Sequence, residues 1–253
     1  MEQNERYKTR MRFTKTGSVR FVGHLDLMRF FQKAIRRAGL NVAYSKGYSP
    51  HQLMGFASPL SVGATTDGDH IDVEFEPTDE PPEALMERLN TCMTDEVFVT
   101  AIWRMPDGFK NSMSMLESAA YMVTAKSSGS FPENYRERFE EFLRQDSIIV
   151  LKKTKKSERE IDLKPAIMAH AYDLESFETQ IGEKLPELHP VYTGDNIFMK
   201  LPASSDNTVK PEQVMEAFFS YCNFEPEPWS YQIHRCQQWF TDRKPSEVTS
   251  ETK

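Results

Sequence analysis

Apolar and polar positions recur with two different periods along the chain, and these periods predict both strands and helices. Residues 8–15 and 71–75 alternate like half-buried strands, whereas the apolar residues of 24–38 recur at helical spacing. The elements expected in the first part are a strand 8–15, a helix 24–38, strands 54–62 and 71–75 joined by a TTDGD turn, a helix opened by Pro81 and Pro82 and ending at Leu89, and a strand 97–103. Their order is β-α-β-β-α-β.

The helix over 24–38 carries the clearest signals. Its apolar residues form one stripe: Leu27, Met28, Phe31, Ala34, Ile35 and Ala38. Asp26 in the first turn and Arg36 in the last turn suit the helix dipole. Gly39 is expected to end the helix, because glycine readily adopts the left-handed conformation of a C-terminal cap.

The second part of the chain repeats this order of elements. Expected there are a strand 119–125, a helix that begins around Pro132 and carries Tyr135, Phe139, Phe142 and Leu143 on one face, strands 147–152 and 196–201, a helix opened by Pro211, and a closing strand 229–235. The repeat rests on element order alone. It predicts an α+β protein of two tandem ferredoxin-like modules, each an antiparallel sheet with helices on one face.

The expected modules are residues 1–105 and 117–240, joined by a connector over 106–116 that is rich in turn-forming residues. An insertion over 153–193 interrupts the second module, and loops of this length are usually functional or disordered. The chain beyond Phe240 has almost no apolar residue, so a disordered tail is expected over 241–253.

Composition excludes several classes of protein. With 39% hydrophobic residues, including 17 Phe and 9 Tyr, the chain has enough apolar side chains for packed cores. No apolar run approaches the ~20 residues of a membrane span, and the charged N-terminal segment has no signal-peptide core, so a cytoplasmic protein without membrane contact is expected. Cys92, Cys222 and Cys236 are too dispersed for a disulfide framework or a cysteine metal site.

Charge is divided unevenly along the chain. Residues 1–60 contain 11 Lys/Arg and 3 Asp/Glu, a net charge of +8, whereas the whole chain has 31 and 38, a net charge of −7. The remaining residues, with 20 Lys/Arg and 35 Asp/Glu, therefore carry −15. A concentrated basic segment in an acidic protein favours binding to an anionic partner such as RNA phosphate, and mutual neutralisation of the two parts is the alternative.

Two segments of the basic part hold the candidate binding residues. Arg29, Lys33 and Arg36 lie on the polar face of the predicted helix, where they repel one another unless an anion bridges them or nearby acidic loops pair with them. The loop 44–56 offers charge, aromatic rings and hydroxyl groups to a nucleotide, or serves only as a bulged turn. The predicted RNA- or anion-binding residues are Arg20, Arg29, Lys33, Arg36, Tyr44, Lys46, Gly47, Tyr48, Ser49 and His51.

Histidines suggest an alternative based on catalysis. His24 and His51 could act as general base and general acid in metal-independent RNA cleavage, or His24 could merely cap a helix. The acidic residues around His70 match no metal-ligand spacing, so neither a metal site nor a cofactor is predicted. The sequence also lacks the motifs of P-loop and dinucleotide-binding proteins, serine hydrolases and zinc proteases.

The chain resembles a bacterial family at two segments, KTRMRFTKTGSVRFVGHLDLMRFFQKAIRRAGLNVAYSKGYSPHQLMGFASPLSVG and REIDLKP. Members of this family are uncharacterised radical-SAM-linked proteins, encoded beside a B12-binding-type radical SAM protein or fused to its C-terminal end. The resemblance implies that such a protein is the partner. Because the three cysteines do not form the CxxxCxxC loop that holds an iron–sulfur cluster, the radical chemistry would belong to that partner.

Three functions are open at this point. The favoured one is an accessory protein, without catalysis of its own, that recognises RNA (tRNA or rRNA) or a ribonucleoprotein for a partner radical SAM enzyme. The second is a metal-independent RNA-processing endonuclease that uses His24 and His51. The third is a protein–protein adaptor whose basic part docks on an acidic surface without nucleic acid.

Overall fold

The computed structural model describes residues 6–153 and 158–241. The strands are β1 (Tyr7–Lys15), β2 (Met54–Phe56), β3 (Thr65–Phe75), β4 (Val99–Arg104), β5 (Leu116–Ala125), β6 (Ile149–Lys153), β7 (Glu158–Asp162), β8 (Ala169–Ala171), β9 (Asn196–Pro202) and β10 (Tyr231–Phe240). The helices are α1 (His24–Arg37), α2 (Pro82–Asn90), α3 (Ser112–Met115), α4 (Tyr135–Arg144), α5 (Leu174–Ile181) and α6 (Pro211–Tyr221). Short 3-10 turns cover Gly17–Phe21 and Lys164–Ala166.

Eight strands share one sheet in the order β4-β1-β3-β10-β5-β9-β8, with β2 also paired to β3. The named pairings in this sheet are antiparallel except the one between β3 and β10, which joins His234 to Thr65 and Arg235 to Thr66. The protein is therefore a mixed α and β structure with a mostly antiparallel sheet. The two parts of the chain share this sheet, where two separate sheets were expected.

The strand β3 joins the two parts because two partners share one of its edges. β1 pairs along one edge, β2 pairs with the stretch from Ile71 to Val73 on the other edge, and β10 pairs with Thr65 and Thr66. The expectation of a strand over 54–62 is wrong for this reason. β2 ends at Phe56, and the chain that follows leaves the sheet, so that β10 reaches the remaining edge.

The expected turn at TTDGD is also wrong, because these residues belong to β3. Asp67 and Asp69 are only 2% and 3% exposed. Gly68 permits the close approach of β10, since a Cβ atom there would lie 2.1 Å from the carbonyl oxygen of Cys236. The segment TTDGD therefore has the composition of a turn but forms a strand with buried polar side chains. Its pairing with β1 is irregular, because the register shifts between Phe13 and Lys15.

The helix α1 confirms the sequence prediction at both ends. Its apolar stripe is buried against the sheet, and full burial of a side chain such as Phe31 contributes about 1.5–3 kcal/mol. Gly39 has a φ of +64°, and its amide donates to the Arg36 carbonyl at 3.1 Å. The Leu40 amide donates to the Ile35 carbonyl at 3.2 Å, which completes a Schellman cap.

The expected strand 147–152 is not part of the large sheet. Among the described residues, β6 pairs only with β7, in a separate two-stranded sheet. The strand beside β9 is instead β8, which lies inside the expected insertion 153–193 together with β7 and α5. A strand of three residues carries too little alternation to be recognised in a sequence.

Helices cover the sheet in three places. α1 and α2 pack on the strands of the first part, and α4 and α6 pack on those of the second part. The expectation of helices on one face is wrong for α5. Its Phe177 packs against Ala120 and Met122 on one face of β5. The alternate residues of β5, Ala119 and Tyr121, lie on the opposite face with α4 and α6. The middle of the sheet is thus covered on both faces.

The C-terminal end of β10 is held by the connector, since the Thr241 amide donates to the Met115 carbonyl at 2.8 Å. The rest of the expected disordered tail, 242–253, lies outside the described residues. In the described part of the chain, every helix is too short or too polar to cross a membrane.

Candidate nucleic-acid interface

Three of the predicted cations lie on the solvent side of α1. Arg29, Lys33 and Arg36 are all exposed, opposite the buried stripe. Arg29 donates to Asp26 at 2.8 Å, and this pair is screened by water because the two side chains are 68% and 66% exposed. No described acidic side chain pairs with Lys33 or Arg36. These two residues therefore supply positive charge on this side of α1 that no described carboxylate neutralises.

The loop after α1 folds back on itself as a narrow hairpin. The Ser45 amide donates to the His51 carbonyl at 2.9 Å, and Tyr44 and Gln52 form an isolated bridge. The tip over 46–50 is exposed, and the ring of Tyr48 is exposed completely, at 110%. Because Gly47 has a φ of +116°, the tip has a backbone shape that other residues rarely adopt.

This loop is in contact with α1. The Gln52 side chain, only 4% exposed, donates to the Gln32 carbonyl at 3.3 Å. Gln32 precedes Arg36 by one helical turn, so the loop lies beside the basic side of α1. The base of the loop therefore rests against α1. We use the name basic face for the exposed residues of these two segments: Arg29, Lys33, Arg36, Tyr44, Lys46, Gly47, Tyr48, Ser49 and His51.

The two candidate catalytic histidines have different surroundings. The His24 ring packs edge-on against Phe56, with 5.2 Å between centroids, while His51 Nδ1 lies 2.9 Å from Ser45 Oγ. Within residues 6–153 and 158–241, no hydrogen bond or ring contact joins His24 to His51. His24 does not act as the helix cap, because that position belongs to Gly23. RNA cleavage by this pair stays a prediction.

Arg20, the remaining predicted cation, lies in the 3-10 turn that precedes α1. Its Nη1 donates to the Gly17 carbonyl at 2.7 Å, and its guanidinium carbon lies 4.6 Å from the centroid of the Phe21 ring. Burial and the nearby charge of Arg20 both lower the pKa of Lys126, a residue of the second part. Arg20 therefore lies where the two parts of the chain meet.

Beneath the sheet surface, three acidic residues of β3 have basic partners in the interior. Arg10 donates to Asp72 at 2.8 Å, Arg235 to Asp69 at 2.5 Å, and His234 Nε2 lies 3.2 Å from Asp67. These side chains are all at most 7% exposed. Sequence analysis missed this buried polar layer, because most of the partners are distant in the chain and acidic residues in a Gly-containing segment are typical of surface turns.

The environment of these groups sets their protonation. Burial acts to raise the pKa of Asp67, but its contacts with His234 and His189 outweigh burial and hold the pKa below its ordinary value. Burial, followed by the charge of Arg10, lowers the pKa of His70 to about 3. Burial acts to lower the pKa of Arg235, but its contacts with Asp69 and Tyr121 outweigh burial and raise the pKa above its ordinary value. At pH 7 Asp67 and Arg235 are thus ionised and His70 is neutral.

Comparison with known families identifies the group of proteins. A family described as "Uncharacterized protein conserved in bacteria (DUF2344)" matches residues 8–211. The chain belongs to this family. Its description names neither an activity nor a partner. No curated protein matches the chain.

The matched region contains the complete basic face, the β3 segment of the buried polar layer, and Arg20 and Lys126. It ends at the first residue of α6, so β10, with His234 and Arg235, lies beyond the match. Within the described residues, no group of three His, Cys, Asp or Glu side chains could hold a metal ion. The side chains of the basic face offer positive charge, hydrogen-bonding groups and aromatic rings.

Proposed function

We propose that this protein is an accessory subunit that binds RNA, free or in a ribonucleoprotein, through the basic face for a partner radical SAM enzyme. The contact between Gln52 and Gln32 carries the proposal, because it fastens the base of the loop to the helix that bears the cations. Without that contact, the charges and rings would belong to unrelated segments.

The side chains of the basic face match the needs of RNA binding. Lys33, Arg36 and Lys46 are exposed cations suited to phosphate, and attraction of this kind gives affinity that falls as salt rises. The exposed ring of Tyr48 offers a stacking platform for an unpaired base, a contact worth about 1–3 kcal/mol. Charge along a helix combined with an exposed ring favours single-stranded segments or loops of RNA.

The two parts of the chain fit two ferredoxin-like modules fused edge to edge. The first part has the strand order β4-β1-β3-β2, and the second has the matching order β10-β5-β9-β8. Each has a helix after its first strand and another before its last strand. In this proposal β8, and not β6, is the second strand of the second module.

The partner is proposed from sequence resemblance and from cysteine chemistry. The segments that resemble radical-SAM-linked proteins contain the basic face, and the chain lacks the CxxxCxxC loop of an iron–sulfur cluster. A B12-binding-type radical SAM protein would then perform the reaction on tRNA or rRNA that this chain holds. Both proteins would act in the cytoplasm.

The test is fluorescence anisotropy with labelled tRNA and rRNA fragments at several salt concentrations. We expect K33E/R36E to weaken binding at least about tenfold and to reduce the slope of log affinity against log salt by about 1.4, or 0.7 for each lost phosphate contact. The matched control is K110E/R144E, which makes the same charge change at exposed cations outside the basic face and retains most of the affinity.

Three other outcomes would contradict the proposal. Equal affinities for the two double variants would show that net charge, and not the basic face, decides binding. Cleavage of the RNA that H51A abolishes would favour the endonuclease. Absence of RNA binding combined with salt-sensitive capture of an acidic protein would favour the adaptor.

A further inference from the structure

A cavity of about 500 Å³ opens where the two parts of the chain meet. Ser58 and Leu60 lie on one wall, and Tyr121, Ile233 and Arg235 contribute from β5 and β10. The volume lies within the range of small-molecule sites, which usually combine an apolar lining with a few polar groups. The mixture of Leu60 and Ile233 with Tyr121 and Arg235 meets that description.

A smaller cavity of about 170 Å³ adjoins it. Both are lined by Ser61, Ala64, Glu212 and Ile233. We call the two together the inter-half groove. Arg20 and Lys126 line its smaller end, and the exposed rings of Phe21 and Trp229, 58% and 78% exposed, lie beside them.

Two cations, Arg20 and Lys126, line the smaller end of the groove together with Glu212. Arg20 is near enough to lower the pKa of Lys126, after the larger effect of burial. Among the described residues, no acidic side chain forms a salt bridge with either of them. Glu96 is near Arg20, since hydrogen bonds from Ser18 and Val19, and then the charge of Arg20, lower the pKa of Glu96. Two neighbouring cations that repel each other are stabilised by a bound anion, and a phosphate group has the required charge.

Polar groups line the larger end of the groove beside Tyr121. Arg235 donates to both oxygens of Asp69, at 2.5 and 2.6 Å, and its Nη1 lies 3.3 Å from Ser58 Oγ. Thr66 also donates to Asp69, at 2.9 Å, so the carboxylate is fully engaged and Asp69 is a positioning residue for Arg235. Arg235 also donates to the Ser58 and Pro59 carbonyl oxygens, at 3.2 and 3.3 Å, so each of its N–H groups has an acceptor within the protein and Arg235 holds the groove wall in place.

We propose that the inter-half groove binds a single nucleotide of RNA, with the base over Tyr121 and Arg235 and a phosphate between Arg20 and Lys126. This inference rests on the proposed function, since it names the subsite that RNA occupies. The exposed rings beside the cations suit a base that has left its stack. Glu212 lines both ends and accepts hydrogen bonds from ribose hydroxyl groups.

The position of Arg20 connects the groove to the basic face. Arg20 belongs to the turn Gly17–Phe21, and α1 begins at His24. RNA that lies along α1 therefore reaches the smaller end of the groove at the N-terminal end of the helix. The basic face would hold the strand, and the groove would select one nucleotide from it.

The experiment titrates full-length protein with the four nucleoside monophosphates and with inorganic phosphate. Binding is followed by the fluorescence of Trp229 in a W103F/W239F background, because Trp229 lines the groove. We expect quenching by at least one nucleotide, and a loss of affinity of at least about tenfold in R20E/K126E. S61F, which fills the stretch shared by both cavities without adding a second indole, should have the same effect.

Controls separate this inference from the proposed function. K33E/R36E should lose long RNA while it retains the nucleotide, whereas R20E/K126E should lose the nucleotide. Circular dichroism shows whether S61F and R20E/K126E are folded, and R20E/K126E tests the site at two part-exposed side chains. If long RNA binds but no nucleotide does, or if phosphate alone binds as tightly as every nucleotide, the groove is not a nucleotide site. If a nucleotide binds but long RNA does not, only the proposed function fails.

Discussion

At the scale of single residues, the buried polar layer decides how the protein responds to acid. His70 is 6% exposed, stacks on Trp103 with 6.0 Å between ring centroids, and packs edge-on against Phe240. The Gln238 amide oxygen accepts from the His70 amide at 3.0 Å and lies 3.2 Å from Nδ1. The imidazole is therefore neutral in the folded protein.

We expect the free energy of unfolding to fall as pH decreases from 7 to 5. Burial and Arg10 lower the pKa of His70 from 6.5 in the unfolded chain to about 3, so in this window the unfolded state binds the extra proton. Stability is then lost by up to about 1.4 kcal/mol per pH unit for this proton. Urea denaturation at several pH values measures the slope.

The variant H70Q should have a flatter slope between pH 7 and 5, because its side chain does not titrate. H51Q, a change at an exposed histidine, should retain the slope of the parent protein. The interpretation is wrong if H70Q and the parent protein lose stability equally over this range.

At the scale of elements, β3 connects the two parts of the chain. It pairs with β1 along one edge and with β2 and β10 along the other. It also carries the acidic residues of the buried polar layer. Its close approach to β10 depends on Gly68, which lies against the backbone of Cys236.

Replacement of Gly68 by alanine should destabilise the protein by about 1–3 kcal/mol or more. The new Cβ atom would lie 2.1 Å from the Cys236 carbonyl oxygen, and a backbone atom in a sheet cannot move away easily. Urea denaturation provides the measurement. G55A is the matched control on β2, because nothing lies within 4 Å of a Cβ atom there. Equal stability of the two variants would contradict this account of β3.

Elements with strong local signals were predictable, and those defined by distant partners were not. The helix α1 has its stripe and its glycine cap within one short segment, and it forms as expected. β2 is shorter than expected because β10 shares its edge of β3. The strand β8 has three residues, and its place beside β9 depends on pairing alone.

At the scale of the whole molecule, the contact between β3 and β10 makes the two parts of the chain depend on each other. Separation would leave Asp69 without Arg235 and Asp67 without His234. Breaking one buried pair by removing a partner costs about 3–5 kcal/mol. A state with one part folded and the other unfolded is therefore unfavourable.

We expect the protein to unfold in one cooperative transition. Trp103 belongs to β4 in the first part, and Trp239 belongs to β10 in the second part. Fluorescence of W229F/W239F reports on Trp103, and fluorescence of W103F/W229F reports on Trp239. Circular dichroism measures the unfolding midpoint of the backbone in each variant. In each variant, the fluorescence midpoint should equal that circular-dichroism midpoint. A midpoint of Trp103 that differs from that of the backbone signal would show that the parts unfold separately.

The candidate site was partly readable from the sequence. The exposed cations of α1 and the residues of the loop were named from residue type and spacing alone, and both segments are exposed as such residues require. The two segments are joined through Gln52 and Gln32, whose contact has no sequence signature. Lys126, Tyr121 and Arg235 were not found, because they become neighbours of Arg20 or Asp69 only across the junction.

The sequence by itself determined the features that depend on near neighbours: the order of the main strands and helices, the extent and capping of α1, the excess of positive charge in residues 1–60, and the absence of a CxxxCxxC loop. Only the tertiary structure decided that β3 and β10 join the two parts in one sheet, that Asp67 and Asp69 are buried, and that a groove lies at the junction. Local periodicity records which side of an element faces an apolar core, whereas strand partners and ion pairs are chosen by segments far apart in the chain.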